Sequence, residues 1–183
     1  MFETEAELEE LQGLLDTSYE KAPGVRYSGF GSQHRLSARQ LAGFQGIKLI
    51  AIATVNSKGE PRAAPRSAAF LHGRFHLATD SRSTMVRRLS NNPTMGFTYY
   101  ENHLLIIGHG TPTPLRKGTP GFTEVGPGWA EAFKGGKDAL TGIDLLVRVD
   151  ASHLIAFAAH PEAYPAAWAG KKPRSKARKE QRS

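Results

Sequence analysis

The sequence predicts a mainly β protein: an antiparallel barrel of six strands, with one helix plugged between the third and fourth. Three observations carry this reading. Segments of strand character crowd residues 47–109. The turns joining most of them are a few residues long, too short for the crossovers that parallel strands need. The one longer interruption has the start signal of a helix and a proline that stops it.

Each element follows from local chemistry. Residues 4–18 form an amphipathic helix, with Thr4 and Glu7 as a capping box and Leu8, Leu11, Leu14 and Leu15 on one face. Residues 21–35 are glycine-bearing and without period, and read as a loop. Residues 37–44 make a second short helix, with Ser37 and Gln40 as its capping box. Residues 47–55 (IKLIAIATV) are apolar on both alternating faces apart from Lys48 and Thr54, as a central strand is. The turn 56–59 returns the chain as a second strand, 61–70, and the turn 71–73 leads to a third, 74–79. Residues 83–90 are the plug helix, stopped by Asn91-Asn92-Pro93. Residues 94–100 and 103–109 form a hairpin. The proline- and glycine-rich stretch 111–128 reads as a loop, 129–140 as a helix broken at Gly135-Gly136, and 143–149 and 153–158 as two closing strands. Residues 159–169, with Tyr164 and Trp168, are an aromatic segment. The expected organisation is thus an N-terminal helix and loop (1–35), a barrel domain (36–169) and a disordered basic tail (170–183).

The totals bound what such a chain can be. A chain of 183 residues can bury about 68–70% of its unfolded surface. No apolar run reaches the roughly 18 residues of a membrane span, and the acidic N-terminus is unlike a secretory signal. With no cysteine, disulfides, thiolate metal sites and a cysteine nucleophile are excluded, and a cytoplasmic location is expected. The net charge of +7 is unevenly spread. Residues 171–183 carry seven basic side chains against one acidic, and residues 1–20 carry seven acidic and no basic ones. The tail reads as a solvated end rather than a nucleic-acid surface.

Two stretches could carry chemistry. On the second strand, alternation sets Arg62, Ala64, Arg66, Ala68 and Phe70 on one face and Ala63, Ser67 and Ala69 on the other. The two arginines are attached about 13 Å apart. Pro65 lacks an N–H, so the strand has an edge or bulge there. Small side chains beside an interrupted ladder leave backbone groups for a flat polar ligand; equally, Pro61 and Pro65 could simply protect an edge. At Thr79-Asp80-Ser81-Arg82-Ser83-Thr84, a strand runs through hydroxyl residues into a helix start. Such an end attracts phosphate, and Arg82, Arg87 and Arg88 add charge. The alternative there is an ordinary serine cap with exposed arginines.

Other constellations are weaker. His103 and His109 share a face, but no third ligand stands out and no metal is expected. No serine sits on a nucleophile elbow, and no Walker or dinucleotide glycine motif is present. No catalytic acid or base is singled out.

The run Ile52-Ala53-Thr54-Val55-Asn56, then Gly59-Glu60-Pro61, residues 75–79, Ser83, Arg88-Leu89 and Asn92-Pro93 resembles the pyridoxamine 5′-phosphate oxidase-like family. The likeness covers residues 40–110 well and 143–158 loosely. It implies an FMN-binding split barrel and a homodimer with flavin sites between the subunits. It also implies a redox reaction on a small organic substrate. Carried onto this chain, it points to Ala64, Pro65, Arg66, Ser67, Ala68 and Ala69 on the second strand, to Ala78 and Thr79, and to Ser83, Thr84 and Met85 at the phosphate. Arg62, Ser81, Arg82 and Arg87 are the neighbouring cations and donors. The family's oxidases carry basic residues where this chain has Ala64, Ala69, Thr84 and Met85, so vitamin B6 oxidation is not expected. Alternatives within the family are a deazaflavin-dependent reductase and a non-catalytic or haem-binding barrel.

Overall fold

The structure is a computed structural model that describes residues 2–22, 31–133, 136–164 and 166. The expectations for residues 23–30, for Gly135, for Trp168 and for the basic tail lie outside these. Elements run α1 (Glu5–Lys21), α2 (Ala38–Leu41), β1 (Ile47–Val55), β2 (Pro61–Leu71), β3 (Arg74–Thr79), α3 (Thr84–Asn91), β4 (Met95–Glu101), β5 (Leu104–Arg116), α4 (Pro120–Phe133) and β6 (Leu145–Ala158). The six strands close in the order β1-β2-β3-β6-β5-β4, every pair antiparallel. The expected barrel is therefore the one built, with α3 between the third and fourth strands. Among the described residues no helix is long and apolar enough to cross a membrane.

Turn chemistry sets the registers. Asn102 and His103 both have positive φ, as do His72 and Gly73, the pairing that a two-residue hairpin turn of type I′ requires. Both capping boxes form, Thr4 with Glu7 and Ser37 with Gln40.

Inside the barrel, rings meet edge to face. Phe75 lies 5.0 Å from Phe70 and from Phe97, and Phe44 lies 4.9 Å from Tyr99, each pair adding about 0.5–1.5 kcal/mol beyond burial. Gly108 makes room for this packing, because a Cβ there would stand 2.4 Å from the Phe97 ring.

Three expectations are corrected. Residues 111–116 are not loop but the end of β5, paired from Thr111↔Asp150 to Arg116↔Leu145. Beyond Gly110, β5 has lost β4 as a neighbour, so Pro112 and Pro114 occupy an edge where a missing N–H costs little. Residues 120–133 form α4 despite Gly121, Gly126, Pro127 and Gly128. Phe122, Val125 and Trp129 share one face and pack with Ala69, Leu71 and Leu146, so burial overrides poor helix propensity. The two closing strands are one, β6, with an irregularity between His109 and Gly110 of β5 that leaves Ser152 unpaired.

β3 reaches only Val149 of β6, leaving the far end of β6 without a strand on that side. Helix α1 seals this edge with side chains. The Ser18 hydroxyl accepts from Leu154 N at 2.9 Å, and the Tyr19 hydroxyl donates to Ala156 O at 2.6 Å while accepting from Ala156 N. Burial pushes the Tyr19 hydroxyl up to about 12, keeping it a neutral donor.

A second surface is unsealed. On the outer face of β2, β1, β4 and β5, Pro65, Ala63, Ala51, Ala53, Gly96 and Thr98 form a flat field with no fixed charge. Leu49 (67% exposed), Tyr100 (64%) and Ile107 (37%) rise from it.

Candidate functional site

β2 and β3 part company at one point. Their last pair is Ala68↔Leu77, and beyond it β2 runs on through Ser67, Arg66 and Pro65 with only β1 beside it. β3 instead continues through Ala78 and Thr79 into the start of α3. The separation is a fork, with β2 as one prong and β3 with the start of α3 as the other.

On the β2 prong, Arg62, Ala64 and Arg66 share the face of Thr54, Ile52 and Ile50 by register, as the alternation predicts. Ser67, Pro65 and Ala63 point to the flat outer field. Arg66 is half-buried and donates to the Pro65 carbonyl at 2.9 Å. Arg62 pairs with Glu60 at 2.7 Å. Hydrogen bonding from Asn56, then Arg62, holds the Glu60 carboxyl below its ordinary range. The β strand therefore brings both arginines to one side, Arg62 already engaged and Arg66 held to its own backbone.

At the other prong, Ser83 caps α3 by accepting from Val86 N, and the Thr79 hydroxyl donates to Ser83 Oγ at 3.1 Å. Thr84 is exposed and Met85 is buried beneath the helix. The N–H groups of Thr84 and Met85 have no partner inside the helix, as at any helix start. Arg82 is 88% exposed and bound at 2.8 Å to Asp80, whose carboxyl it holds down to about 2. Ser81 donates through both its N–H (2.9 Å) and its hydroxyl (2.6 Å) to Asp144, lowering that carboxyl as well. Arg87 is exposed.

One neighbour, Asp144, and one contact, that of Arg88 with Thr54, escaped the sequence reading. Asp144, at the foot of β6, reaches Ser81 across a chain separation that no local pattern encodes. Arg88 extends back to β1, where its Nε donates to the buried Thr54 hydroxyl at 3.0 Å. On the opposite flank of α3 a recess of about 270 Å³ opens, walled by Val86, Leu89, Pro93, Pro112, Pro114 and Val147.

A phosphorylated flavin can be tested against this arrangement. The donors fit: Thr84 N, Met85 N and the Thr84 hydroxyl stand at one helix start, with Arg88 one turn further along α3. The charge fits less well, since Asp80 and Asp144 have claimed Arg82 and Ser81. Among the described residues no three metal-ligating side chains gather.

No protein-family model matches the chain, and no curated protein matches it in sequence. Solved structures do resemble it. A conserved hypothetical protein from Mycobacterium tuberculosis is 15% identical with a TM-score of 0.60, over 74% of this chain and 93% of that one. HutZ, the heme storage protein from Vibrio cholerae, is 15% identical with a TM-score of 0.54, over 68% of this chain and 97% of that one. A pyridoxamine 5′-phosphate oxidase-related, FMN binding protein from Nostoc punctiforme is 16% identical over 56% of this chain and 70% of that one. Its TM-score of 0.42 is too low to argue from. What these likenesses establish is the fold, a split β-barrel.

Proposed function

We propose that the barrel binds a flavin, FMN first, at the fork between β2 and α3, and works as an oxidoreductase on a small organic substrate. The observation that carries this reading is the fork itself. Supporting it, β2 runs on as a proline-interrupted strand where β3 leaves it, α3 starts with open N–H groups, and Arg66 and Arg88 have no carboxylate partner among the described residues. A flat ring lies against the small side chains of β2, and the phosphate meets Thr84 and Met85. The flavin supplies the hydride or electron transfer when bound. The chain's own part is to hold it: Arg66 to offset phosphate charge, Ala64 to let the ring approach the backbone, and the apolar recess beside α3 to receive an apolar part of the substrate.

In the same reading the protein is a homodimer, joined through the flat uncharged field of β2, β1, β4 and β5. A monomer would leave Leu49, Tyr100 and Ile107 in water.

One observation favours a second reading. With Asp80 and Asp144 consuming a cation and two donors, the phosphate site is weaker than the ring site, which suits a haem-binding or non-catalytic barrel. Titration of the purified protein with FMN, riboflavin, a deazaflavin and hemin separates the readings. The flavin reading expects quenched flavin fluorescence, with FMN bound at least tenfold tighter than riboflavin. Equal binding of FMN and riboflavin removes the phosphate assignment, and uptake of hemin alone replaces the flavin reading.

A further inference from the structure

β5 and β6 are pressed together around one pair of residues. His109 stands opposite His153 in the register, and their rings stack at 5.1 Å with 17° between planes. The approach is built in on both sides. A Cβ at Gly110 would come within 2.2 Å of the Asp150 carbonyl, and one at Gly108 within 2.9 Å of the His153 carbonyl. Only glycines permit this spacing. The unpaired Ser152 forms a bulge just before His153, and its hydroxyl donates to the His109 carbonyl at 3.4 Å. Bulges of this kind re-aim side chains. The pair lies on the outer face, His109 exposed and His153 half-buried.

We propose that His109 and His153 together chelate a divalent transition-metal ion, copper(II) by preference, with water completing the coordination. Two cis imidazole nitrogens, each about 2.0–2.1 Å from an ion, stand roughly 3 Å apart. Rings whose centroids lie 5.1 Å apart are near enough for a turn about each Cβ–Cγ bond to aim one nitrogen of each towards a shared ion. Imidazole suits copper, nickel and zinc, and affinities rank copper(II) above nickel(II) and zinc(II). With two protein ligands the ion keeps open positions for a further small ligand. This site is separate from the fork and does not depend on a flavin there.

The test is a copper(II) titration of tag-free full-length protein near pH 7.5, followed by calorimetry and by electron paramagnetic resonance. The expected result is one ion per chain with a spectrum split by two nitrogens. His109→Ala and His153→Ala should each weaken binding at least tenfold, while His103→Ala leaves it unchanged. Copper affinity should fall as the solution is made more acidic, because protons compete with the metal for imidazole nitrogens. A wild-type spectrum lacking two-nitrogen coordination, or unaltered binding by either single variant, overturns the proposal.

Discussion

His76 is the residue whose environment most constrains stability. It is 1% exposed on β3, its Nδ1 lies 3.2 Å from the Arg74 carbonyl, and its Nε2 has no hydrogen-bond partner among the described residues. Burial, above all, drives its imidazole down to about 3. The native state therefore holds His76 neutral, while the unfolded chain protonates it near 6.5. Between those values the unfolded state binds more protons, so stability falls as pH drops from about 6.5 towards 3. The slope from this residue is about 1.4 kcal/mol per pH unit. Denaturant melts at pH 7 and pH 5 should show that loss, and His76→Leu should flatten it by removing both the titrating group and the orphaned nitrogen. An equally steep slope in the variant would show that another group is responsible.

Among the elements, α3 decides whether an anion can dock. Its start offers N–H donors, but Asp144 from β6 draws in Ser81 through two hydrogen bonds. Asp144→Asn keeps an acceptor for Ser81 N and removes a negative charge from beside the helix start. Across a few ångströms of partly solvated space such a charge is worth about 1 kcal/mol. FMN affinity should thus rise roughly fivefold in the variant while riboflavin affinity stays level, as measured by fluorescence quenching. Elements also show where local pattern misleads. The Thr-Pro-Thr-Pro run of β5 and the glycines and proline of α4 look like loop. Each is ordered by what lies beside it: an edge for the prolines, and the buried faces of β2 and β6 for the helix.

At the scale of the whole molecule, the proposed homodimer rests on the uncharged outer field. Placing an ammonium on it by Leu49→Lys should shift the proposed dimer to monomer in light-scattering mass measurements. The side chain is repeated in both subunits, so losing its burial costs about 3–6 kcal/mol, a hundredfold or more in the dissociation constant. A wild-type protein that runs as a monomer would remove the interface. The same field carries Ala63 and Pro65 of β2, whose neighbours Ala64 and Arg66 face the other way, so in the proposed reading dimerisation and cofactor binding would share one strand.

The sequence by itself determined the barrel, the plug helix, both capping boxes and the common face of Arg62 and Arg66. These depend on alternation, turn residues and caps, which act over a few neighbours. It also marked the start of α3 as a place where donors gather. Only the tertiary structure decided that Asp144 meets Ser81, that Arg88 reaches Thr54, and that His109 faces His153 rather than joining His103. Those are encounters between strands and helices distant in sequence. Their outcome depends on register and on where one strand outruns its neighbour, which no local pattern records.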